Sequence, residues 1–593
     1  MDTREQHEHD RGADGEWHDG STRCLDQRAA ANERWRRRQS AFTLRRREVS
    51  RPAHLNAIFH LRASFEPILT ALSPRRRWLR DIRAQWGRAG TKDAWLASRY
   101  FDLTRGAHPD HVDDKTWTDL ELPKVFADVD TTATRIGSQV LFKAMRVRVG
   151  DARELAERYR TYAALRTDRA LREEIQLKLA HLQQDSNAFL ADYLFGPPPE
   201  SPKLFFPVLL WSALSAVMLA GAIFSSWPLW PWLVILAINA VVVLRLSSRL
   251  NRNVEPLRAC GRLIKIADSL ATLAASSERV PALARLAEQS VRRQRARHTI
   301  RWFTIQHTNE LAESLFLWLN LGFLLELLSY LRAADQFASF RADLASTYEL
   351  VGWLDAAVAV ASLLERKPEH CEPTVGAGTL LELEDAYHPL IARPVTNSIR
   401  LDGHSALITG SNMAGKTTFI KMVGLNILLG QTLGICFAKS AVLPRSTARA
   451  AIRGEHSVES GRSHYFAEVE AIRSFLESAR QGHCRVFLID ELLSGTNTVE
   501  RIATARAVLD SLSSNAQVLV TTHDVELQAL LGERFEPFHF REDPDVDGFF
   551  DYRLRPGRAT ERNAIRLLAR LGFPADIVTS ALDFAARDGD GDR

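Results

Sequence analysis

One short stretch constrains the fold of this chain more than any other. It follows an apolar run at residues 406–408 and precedes a helix-compatible run at residues 419–429, and a phosphate-binding loop has this strand–loop–helix context. Its glycines let backbone N–H groups face phosphates, and the N-terminus of the following helix adds a favourable dipole. We therefore predict that Lys416 contacts the β and γ phosphate oxygens and that Thr417 ligates Mg²⁺. The predicted nucleotide-binding residues of this loop are Gly410, Ser411, Asn412, Met413, Ala414, Gly415, Lys416, Thr417 and Thr418.

Two later apolar runs end in polar residues that suit the same nucleotide. Residues 485–489 are followed by Asp490 and Glu491, and residues 518–522 are followed by His523. Strands of a parallel sheet that is covered on both faces are continuously apolar, and their C-terminal ends open on the ligand crevice. We predict that Asp490 ligates the metal, that Glu491 polarises the attacking water and that His523 senses the γ-phosphate. A lone histidine is usually structural, so the role of His523 depends on its place after the Asp-Glu pair.

These motifs, in this order, resemble the ATPase domain of the MutS family of DNA mismatch-repair proteins. The Asn-Met pair inside the phosphate loop is typical of that family, and so is a Gly-Arg-Ser block followed by a glutamate. A fainter resemblance to the helical core of the family extends upstream to residues 130–137 and 354–361. In all, the resemblance covers residues 113–585. The remaining matching blocks are His388-Pro389, Gly461-Arg462-Ser463 with Glu468, Gly495-Thr496-Asn497-Thr498, Thr522-His523 and Tyr552-Arg553-Leu554-Arg555-Pro556-Gly557.

The resemblance implies an α/β P-loop NTPase domain of the ABC-like kind at residues 371–585. A mostly α-helical lever or core domain, residues 113–370, would precede it. ATP and Mg²⁺ are the implied cofactors, and Glu491 and His523 are the implied catalytic residues of an ATPase. Ser463 would reach the nucleotide of the opposite subunit, which implies a homodimer through the ATPase domains. The family also implies binding to mismatched or branched DNA, independent of sequence.

A pair of apolar runs interrupts the helical domain. Residues 204–224 carry no charge, and a second run covers residues 229–244. A spanning helix needs about 20 apolar residues. Lys203 precedes the first run, Arg245 follows the second, and the turn between them is rich in tryptophan. This pattern predicts a transmembrane hairpin at about 204–244 with both ends in the cytoplasm, and hence an inner (cytoplasmic) membrane protein whose ATPase domain is cytoplasmic. The alternative is a hairpin buried in a large core.

A third apolar run, residues 315–331, is interrupted by Asn320 and Glu326, so we predict a buried helix there rather than another span. Residues 1–50 are polar and charged and are predicted to be a disordered basic segment. Their arginine clusters suit phosphate backbones or anionic lipid headgroups, or are simply a solvated charge run. Residues 51–112 form a helical region without an assigned role, and residues 586–593 a disordered tail. The 5 dispersed cysteines indicate a reducing compartment and argue against a zinc site.

Two departures from the family leave the function open. Nothing before residue 113 resembles the Phe-x-Glu motif of the family's mismatch reader, and the apolar hairpin stands where lever helices would run to a DNA clamp. The favoured interpretation is a membrane-anchored, DNA-binding ATPase of the mismatch-repair kind. The alternative is a nucleotide-gated membrane or scaffold ATPase that no longer binds DNA. An ABC-type transporter is disfavoured, because two short spans cannot enclose a translocation path.

Overall fold

The structure, a computed structural model, describes most of the chain beyond residue 73. It divides the chain into two compact units, Met1–Arg77 and Trp78–Arg593, and the features below belong to the second. Three predictions concern residues that the structure does not describe. They are the disordered segment 1–50, the first part of the helical region at residues 51–112, and the role of Ser463. The described residues are 74–92, 94–182, 189–197, 203–305, 310–452, 464–482, 484–493, 496–524, 526–542, 550–558 and 572–589.

Helices make up the described chain as far as residue 366. The two longest, α10 and α14, contain 42 residues each. The helices of this part are α1 Pro74–Gln85, α2 Ser98–Thr104, α3 Asp114–Asp119, α4 Leu122–Val129, α5 Arg135–Arg146, α6 Ala152–Thr167, α7 Arg169–Ala180, α8 Leu190–Phe195, α9 Phe205–Phe224, α10 Trp230–Ala271, α11 Pro281–Glu288, α12 Ser290–Ile305, α13 Glu310–Phe323 and α14 Leu325–Arg366.

Side-chain caps define the starts of helices α3 and α5. The Asp113 side chain accepts a hydrogen bond from the Thr116 amide at 2.9 Å, and the Thr134 hydroxyl accepts one from the Gly137 amide at 2.9 Å. Each cap satisfies an amide that has no partner within its own helix. Helix α5 then buries Ile136, Val140 and Leu141 in the core.

One buried carboxylate joins α14 to the start of α5. The Asp355 carboxylate accepts hydrogen bonds from the Ala133 amide at 2.9 Å, the Thr134 amide at 2.8 Å and the Thr134 hydroxyl at 2.7 Å. Burial raises the pKa of the Asp355 carboxyl. The absence of a side chain at Gly137 lets the two helices approach, since an added Cβ would lie 2.3 Å from Asp355 Oδ2. Helix α5 packs against α14 and also against the helix that follows the phosphate-binding loop.

The predicted apolar hairpin is formed by α9 and residues 230–245 of α10, and we keep the name apolar hairpin for these segments. Helices α9 and α14 are the two described helices long and apolar enough to cross a membrane. They differ in environment, because the apolar window of α9 is 6% buried and that of α14 is 83% buried. Helix α14 is therefore a core helix. Most of the surface of the hairpin is exposed in this chain. The alternative, a hairpin buried in the protein core, is therefore wrong.

The prediction of one buried helix over residues 315–331 is also wrong. The segment breaks at Leu324, which has a left-handed φ of 51° and separates α13 from α14. On α13, Leu317 is 63% and Trp318 66% exposed. The break persists because side chains from the apolar hairpin bind the carbonyl groups that it opens, as described below.

A mixed α/β region follows residue 366 and holds two sheets. The first has the strand order β1-β5-β2-β3, and the second β10-β9-β4-β8-β7-β6. In the second sheet β9, β4, β8, β7 and β6 pair in parallel, and β10 is an antiparallel edge strand. The elements are β1 Thr374–Gly376, β2 Leu380–Ala386, β3 Asn397–Asp402, β4 Ser405–Thr409, α15 Lys416–Thr432, β5 Ser440–Pro444, β6 Thr447–Ala451, α16 His464–Arg480, β7 Cys484–Asp490, α17 Thr498–Ser513, β8 Gln517–Thr522, α18 Leu527–Leu530, β9 Phe535–Glu542, β10 Phe550–Pro556 and α19 Ala575–Gly589.

The central strands of the second sheet are buried on both faces, as their continuous apolar runs predicted. In β4, Ala406 and Ile408 join one hydrophobic cluster and Leu407 joins the other. The larger cluster continues without a break from Tyr100 on α2 through the helical region to this sheet. Each side of the sheet is thus covered, and only the strand ends remain open to a ligand.

The predicted disordered tail at residues 586–593 needs correction. Helix α19 extends to Gly589, well past residue 585. Residues 585–587 read Ala-Ala-Arg, which favours continuation of a helix, and the glycine that follows Asp588 suits its end.

Candidate functional site

The phosphate-binding loop connects the end of β4 to the start of α15. Two of its glycines have φ angles that other residues rarely adopt, 140° at Gly410 and 100° at Gly415. A Cβ at Gly410 would lie 3.0 Å from the Phe540 carbonyl oxygen, and one at Gly415 would lie 3.2 Å from the Tyr552 ring. The spacing of glycines in the sequence is therefore required by both the backbone and its neighbours. All the predicted loop residues from Gly410 to Thr418 lie together at this strand end.

Lys416 begins α15 and is almost completely buried, with 1% of its surface exposed. Its ammonium donates to the Gly410 carbonyl oxygen and lies 3.1 Å from His523 Nε2. Burial lowers the pKa of Lys416 to about 8, although the nearby carboxylates of Glu491 and Asp490 act in the opposite direction. A cation that is desolvated to this degree suits an anionic ligand such as a phosphate group.

A second feature of the loop also fits a ligand. The Ser411 hydroxyl oxygen is buried and has no hydrogen-bond partner among the residues described. Buried polar atoms are nearly always hydrogen-bonded in folded proteins. An orphaned hydroxyl inside a glycine-rich loop is consistent with a bound group that accepts or donates there, and a phosphate oxygen is such a group.

Asp490 and Thr417 supply a pair of oxygen atoms beside the loop. Asp490 is the last residue of β7, and its Oδ2 accepts a hydrogen bond from the Thr417 hydroxyl at 2.7 Å. Parallel pairing of β7 with β8 sets Thr521 beside Asp490, and the Thr521 hydroxyl donates to the other carboxylate oxygen. A hydroxyl and a carboxylate oxygen in contact are ligands that Mg²⁺ accepts together with phosphate oxygens. These two residues could hold the metal.

Glu491 and His523 meet at the next position along the strand ends. His523 Nε2 lies 2.8 Å from Glu491 Oε1, so the imidazole stands between the carboxylate and the Lys416 ammonium. Glu491 has a left-handed φ of 58°, and its amide donates to the Thr521 hydroxyl at 3.2 Å. A non-glycine residue in this conformation costs about 1 kcal/mol or more, and such strain is concentrated at functional sites. The turn directs the Glu491 side chain to the histidine.

The segment after Glu491 is held by Glu468, a residue that the sequence analysis included only as part of the resemblance to the MutS family. Leu493 also has a left-handed φ of 58°, and its amide donates to Glu468 Oε1 at 2.6 Å. Glu468 lies on α16, which directly follows the Gly-Arg-Ser block. The glutamate of that block therefore supports the strained turn at the end of β7. Ser463 of the same block lies outside the described residues.

An ion pair that the sequence analysis missed fixes the segment after His523. The Asp524 carboxylate accepts two hydrogen bonds from the Arg501 guanidinium, at 2.6 and 2.9 Å. A bidentate pair of this kind sets orientation as well as distance. Arg501 lies on α17, so this contact ties the histidine turn to a neighbouring helix.

A cavity of about 310 Å³ opens beside the phosphate-binding loop and was also missed. Its volume falls in the range of small-molecule sites. Burial lowers the pKa of His388 to about 4, so this ring is neutral at ordinary pH. Asn397 fixes the opposite wall, since its amide donates to the Tyr552 carbonyl at 3.0 Å and its oxygen accepts from the Leu554 amide at 2.7 Å. The lining includes His388, Ile391, Pro394, Val395, Met413, Thr418, Phe419 and Tyr552.

The sequence carried a weak signal for this cavity. His388-Pro389 and the block beginning at Tyr552 belong to the resemblance, but neither had been given a role. The cavity places an apolar, partly aromatic surface next to the phosphate-binding loop.

Comparison with known proteins places these features in context. Residues 406–587 match MutS domain V. The DNA mismatch repair protein MutS of Thermus aquaticus is 30% identical over 210 residues, which are 34% of this chain and 26% of that protein. The Endonuclease MutS2 of Fusobacterium nucleatum is 31% identical over 271 residues, 44% of this chain and 34% of that protein. The Endonuclease MutS2 of Lactiplantibacillus plantarum is 35% identical over 226 residues, 37% of this chain and 28% of that protein. The chain thus spans about a third or less of the length of these relatives.

Proposed function

We propose that this chain, which belongs to the MutS family through its domain V, binds and hydrolyses ATP in a composite site between two copies and is anchored in a membrane. The observation that carries the ATPase proposal is the convergence of one pair and one group of three side chains on one glycine-rich loop. Thr417 contacts Asp490, and His523 contacts both Lys416 and Glu491. Phosphate binding, metal binding and water activation need these residue types at this edge of the sheet.

In the proposed site, each residue has one task. Lys416 and the loop amides bind the phosphates, Thr417 and Asp490 hold Mg²⁺, and the cavity lined by His388 and Tyr552 receives the base. Magnesium bound to the triphosphate neutralises charge and supplies electrophilic activation. Glu491 accepts the proton of the attacking water, and His523 orients the carboxylate by its hydrogen bond to Oε1. Substitution of Lys416 by alanine is expected to weaken nucleotide binding and abolish turnover.

The dimeric arrangement is supported by apolar side chains exposed near the nucleotide edge. Met413 in the loop is 71% exposed, Phe466 at the start of α16 is 54% exposed, and Val499 at the start of α17 is 79% exposed. Exposed apolar groups at the rim of a site favour a protein partner there. We propose that a second copy covers them and that its Ser463 contacts the nucleotide.

Mixed dimers test the composite site. Lys416→Ala protein lacks the phosphate cation, and Ser463→Ala protein lacks the residue donated to the partner. In a mixture, one of the two sites of a mixed dimer combines an intact Lys416 with an intact Ser463, so ATP hydrolysis should return in part. The absence of rescue at every mixing ratio, with mixed dimers demonstrated by differential tags, would exclude this geometry.

Membrane anchoring is supported by the exposure of the apolar hairpin. Leu210 and Phe206 on α9 are 71% and 73% exposed, and Leu244 on α10 is 75% exposed. The apolar window of α9 has a mean hydropathy of 2.0. Lys203 and Arg245 lie at the two ends of the hairpin on one side, which favours the cytoplasm for both ends and an inner-membrane location. Co-flotation with liposomes that withstands high salt and alkaline carbonate would support insertion, and release by either treatment would contradict it.

The names of the relatives refer to DNA mismatch repair and to an endonuclease, and we propose sequence-independent contact with mismatched or branched DNA for this chain. The second candidate is a membrane or scaffold ATPase without DNA, and the exposed apolar hairpin favours it. Both are tested by the ATPase rate of nanodisc-held protein with duplex, mismatched and branched DNA over a salt series. Stimulation that fades with salt supports DNA binding. A rate indifferent to every DNA supports the second candidate.

A further inference from the structure

The break between α13 and α14 leaves backbone carbonyl groups without helical partners in an apolar part of the molecule. Helix α13 ends at Phe323 and α14 begins at Leu325, so the last carbonyl groups of α13 have no partners in a following turn. The first turn of α14 is capped by Asn320, whose side-chain oxygen accepts from the Glu326 amide at 2.9 Å. The carbonyl groups at the end of α13 need other donors.

Those donors come from both helices of the apolar hairpin. The Ser212 hydroxyl donates to the Phe323 carbonyl oxygen at 2.8 Å, and the Ser215 hydroxyl to that of Gly322 at 2.7 Å. Asn239 donates to the carbonyl oxygens of Leu321 and Gly322, at 3.0 Å each. Ser215 and Asn239 are completely buried. We call Ser212, Ser215 and Asn239 the polar lock, since they join α13 to both hairpin helices.

The polar lock lies at a depth that can be worked out along the hairpin. Ser212 follows the start of α9 at Phe205 by about 10 Å, and Asn239 precedes Arg245 by about 9 Å, at 1.5 Å per residue. If the charged flanks of the hairpin mark the bilayer surface, Ser212 and Asn239 lie within the nearer leaflet, which is about 15 Å thick, and Ser215 lies near the bilayer midplane. Irregular backbone is tolerated at such depth only where its polar groups are satisfied by protein. The lock meets that requirement.

The neighbouring helices bring α13 to the same end of the molecule as the hairpin. Gln289, which directly precedes α12, donates to the Ser346 hydroxyl on α14, and Thr299 on α12 donates to Gln336 on α14, each at 2.9 Å. These two pairs define one antiparallel register between α12 and α14. Helix α13, the next described helix after α12, packs against both α9 and α10.

At the C-terminal end of α13, residues 317–323, the exposed side chains are apolar and continuous with the hairpin. Leu317 is 63% and Trp318 66% exposed, comparable to Val217 on α9 at 54% and Val241 on α10 at 55%. Residues 317–323 contain no charged side chain, whereas the flanks of the hairpin carry exposed Lys203 and Arg245. Charged flanks on one side and an uncharged apolar surface beyond them match a lipid bilayer better than a second protein chain.

We propose that α13 is a third membrane-contacting segment, embedded in the cytoplasmic leaflet beside the hairpin with Leu317 and Trp318 against lipid acyl chains. The polar lock makes this possible by satisfying the carbonyl groups at the break between α13 and α14. This inference rests on the membrane anchoring proposed above and extends it from two segments to three.

The test measures lipid contact at three single positions. Trp318→Cys, Leu210→Cys on the hairpin and Arg295→Cys on the exposed side of α12 are labelled with an environment-sensitive fluorophore in full-length protein. Native protein taken through the same labelling gives the background from its own cysteines. Each protein is reconstituted in phosphatidylcholine–phosphatidylglycerol nanodiscs, with and without lipids that carry a nitroxide on the acyl chain.

We expect nitroxide lipid to quench the label at position 318 as strongly as at position 210, and to leave the label at position 295 unchanged. Quenching at position 210 without quenching at 318 would overturn the inference about α13 and leave the hairpin anchor intact. If the label at 318 is unquenched and a bifunctional thiol reagent joins two copies of the unlabelled Trp318→Cys protein at this position, a second chain covers the surface and the inference is wrong. The absence of quenching at both positions would remove the membrane anchoring itself.

Discussion

The buried ammonium of Lys416 makes nucleotide affinity depend on pH in a predictable direction. Its pKa is lowered from the ordinary 10.5 to about 8, because burial disfavours the charged form. A bound phosphate favours the charged form and raises this pKa, so binding above pH 8 must take up a proton. Affinity is therefore full below about pH 8 and falls as pH rises through that value. At pH 9 about one free site in ten is protonated, which weakens binding about tenfold, or by about 1.4 kcal/mol.

Isothermal titration of ATP at constant Mg²⁺, between about pH 7 and 9.5, measures this slope. Lys416→Arg is the matched control, because a guanidinium remains charged throughout, and its affinity should be lower but flat with pH. Proton uptake on binding, read from buffers of different ionisation enthalpy, gives an independent check. An ATP affinity that does not change with pH in the native protein, or that changes equally in the arginine variant, would refute the assignment of this pH dependence to Lys416.

Three further perturbations follow from contacts in the structure. Glu491→Gln keeps an oxygen for His523 but removes the base, so kcat should fall by at least about 100-fold while ATP affinity is retained, and an unchanged single-turnover rate would exclude its role. Asn239→Leu removes the side-chain donor to the Leu321 carbonyl and one of the two donors to the Gly322 carbonyl, and it should destabilise the protein by about 1–3 kcal/mol in a thermal melt in detergent; an unchanged melt would mean that the lock is not needed. Gly137→Ala places a Cβ 2.3 Å from Asp355 Oδ2, which its hydrogen bonds hold in place, and should cost about 1–3 kcal/mol. Gly150→Ala, with nothing within 4 Å of the added atom, is its control, and equal melting temperatures for the two variants would contradict the packing argument.

The core of the nucleotide site could be predicted because its parts follow the chain closely. The loop adjoins its own strand and helix, and Asp490 and Glu491 directly follow an apolar run. Strand β7 shows why that run is continuous, since Val486 and Leu488 face one cluster and Phe487 and Ile489 the other. A strand covered on both faces can present functional side chains to a ligand only at its end.

The cavity beside the phosphate-binding loop, which we propose for the base, could not be predicted because distant segments form it. His388, Met413 and Tyr552 meet only after β10 has paired with β9 at the sheet edge and Asn397 has bonded the backbone at Tyr552. Tyr552 also has a left-handed φ of 55°, which no local sequence pattern indicated. Such a site depends on tertiary pairing rather than on spacing.

The break at Leu324 was missed for a related reason. No proline marks that position, and the mainly apolar run favours one helix even though Asn320 and Glu326 interrupt it. The donors that stabilise the break, Ser212 and Asn239, are 111 and 82 residues away from their acceptors in the chain. A stretch of sequence shorter than these separations contains the apolar residues but lacks the side chains whose hydrogen bonds stabilise the break.

The length of α14 has a mechanical consequence. At 42 residues the helix is about 63 Å long, with the break at Leu324 at one end and Asp355 near the other. Asp355 binds the start of α5, and α5 also packs against α15, the helix that carries Lys416. Asp355 lies about 45 Å along the helix from Leu325, so a tilt of about 5° at Asp355 would displace the Leu325 end by about 4 Å. An angular change too small to disturb the packing around Asp355 would thus be amplified into a movement comparable to the width of a lipid chain.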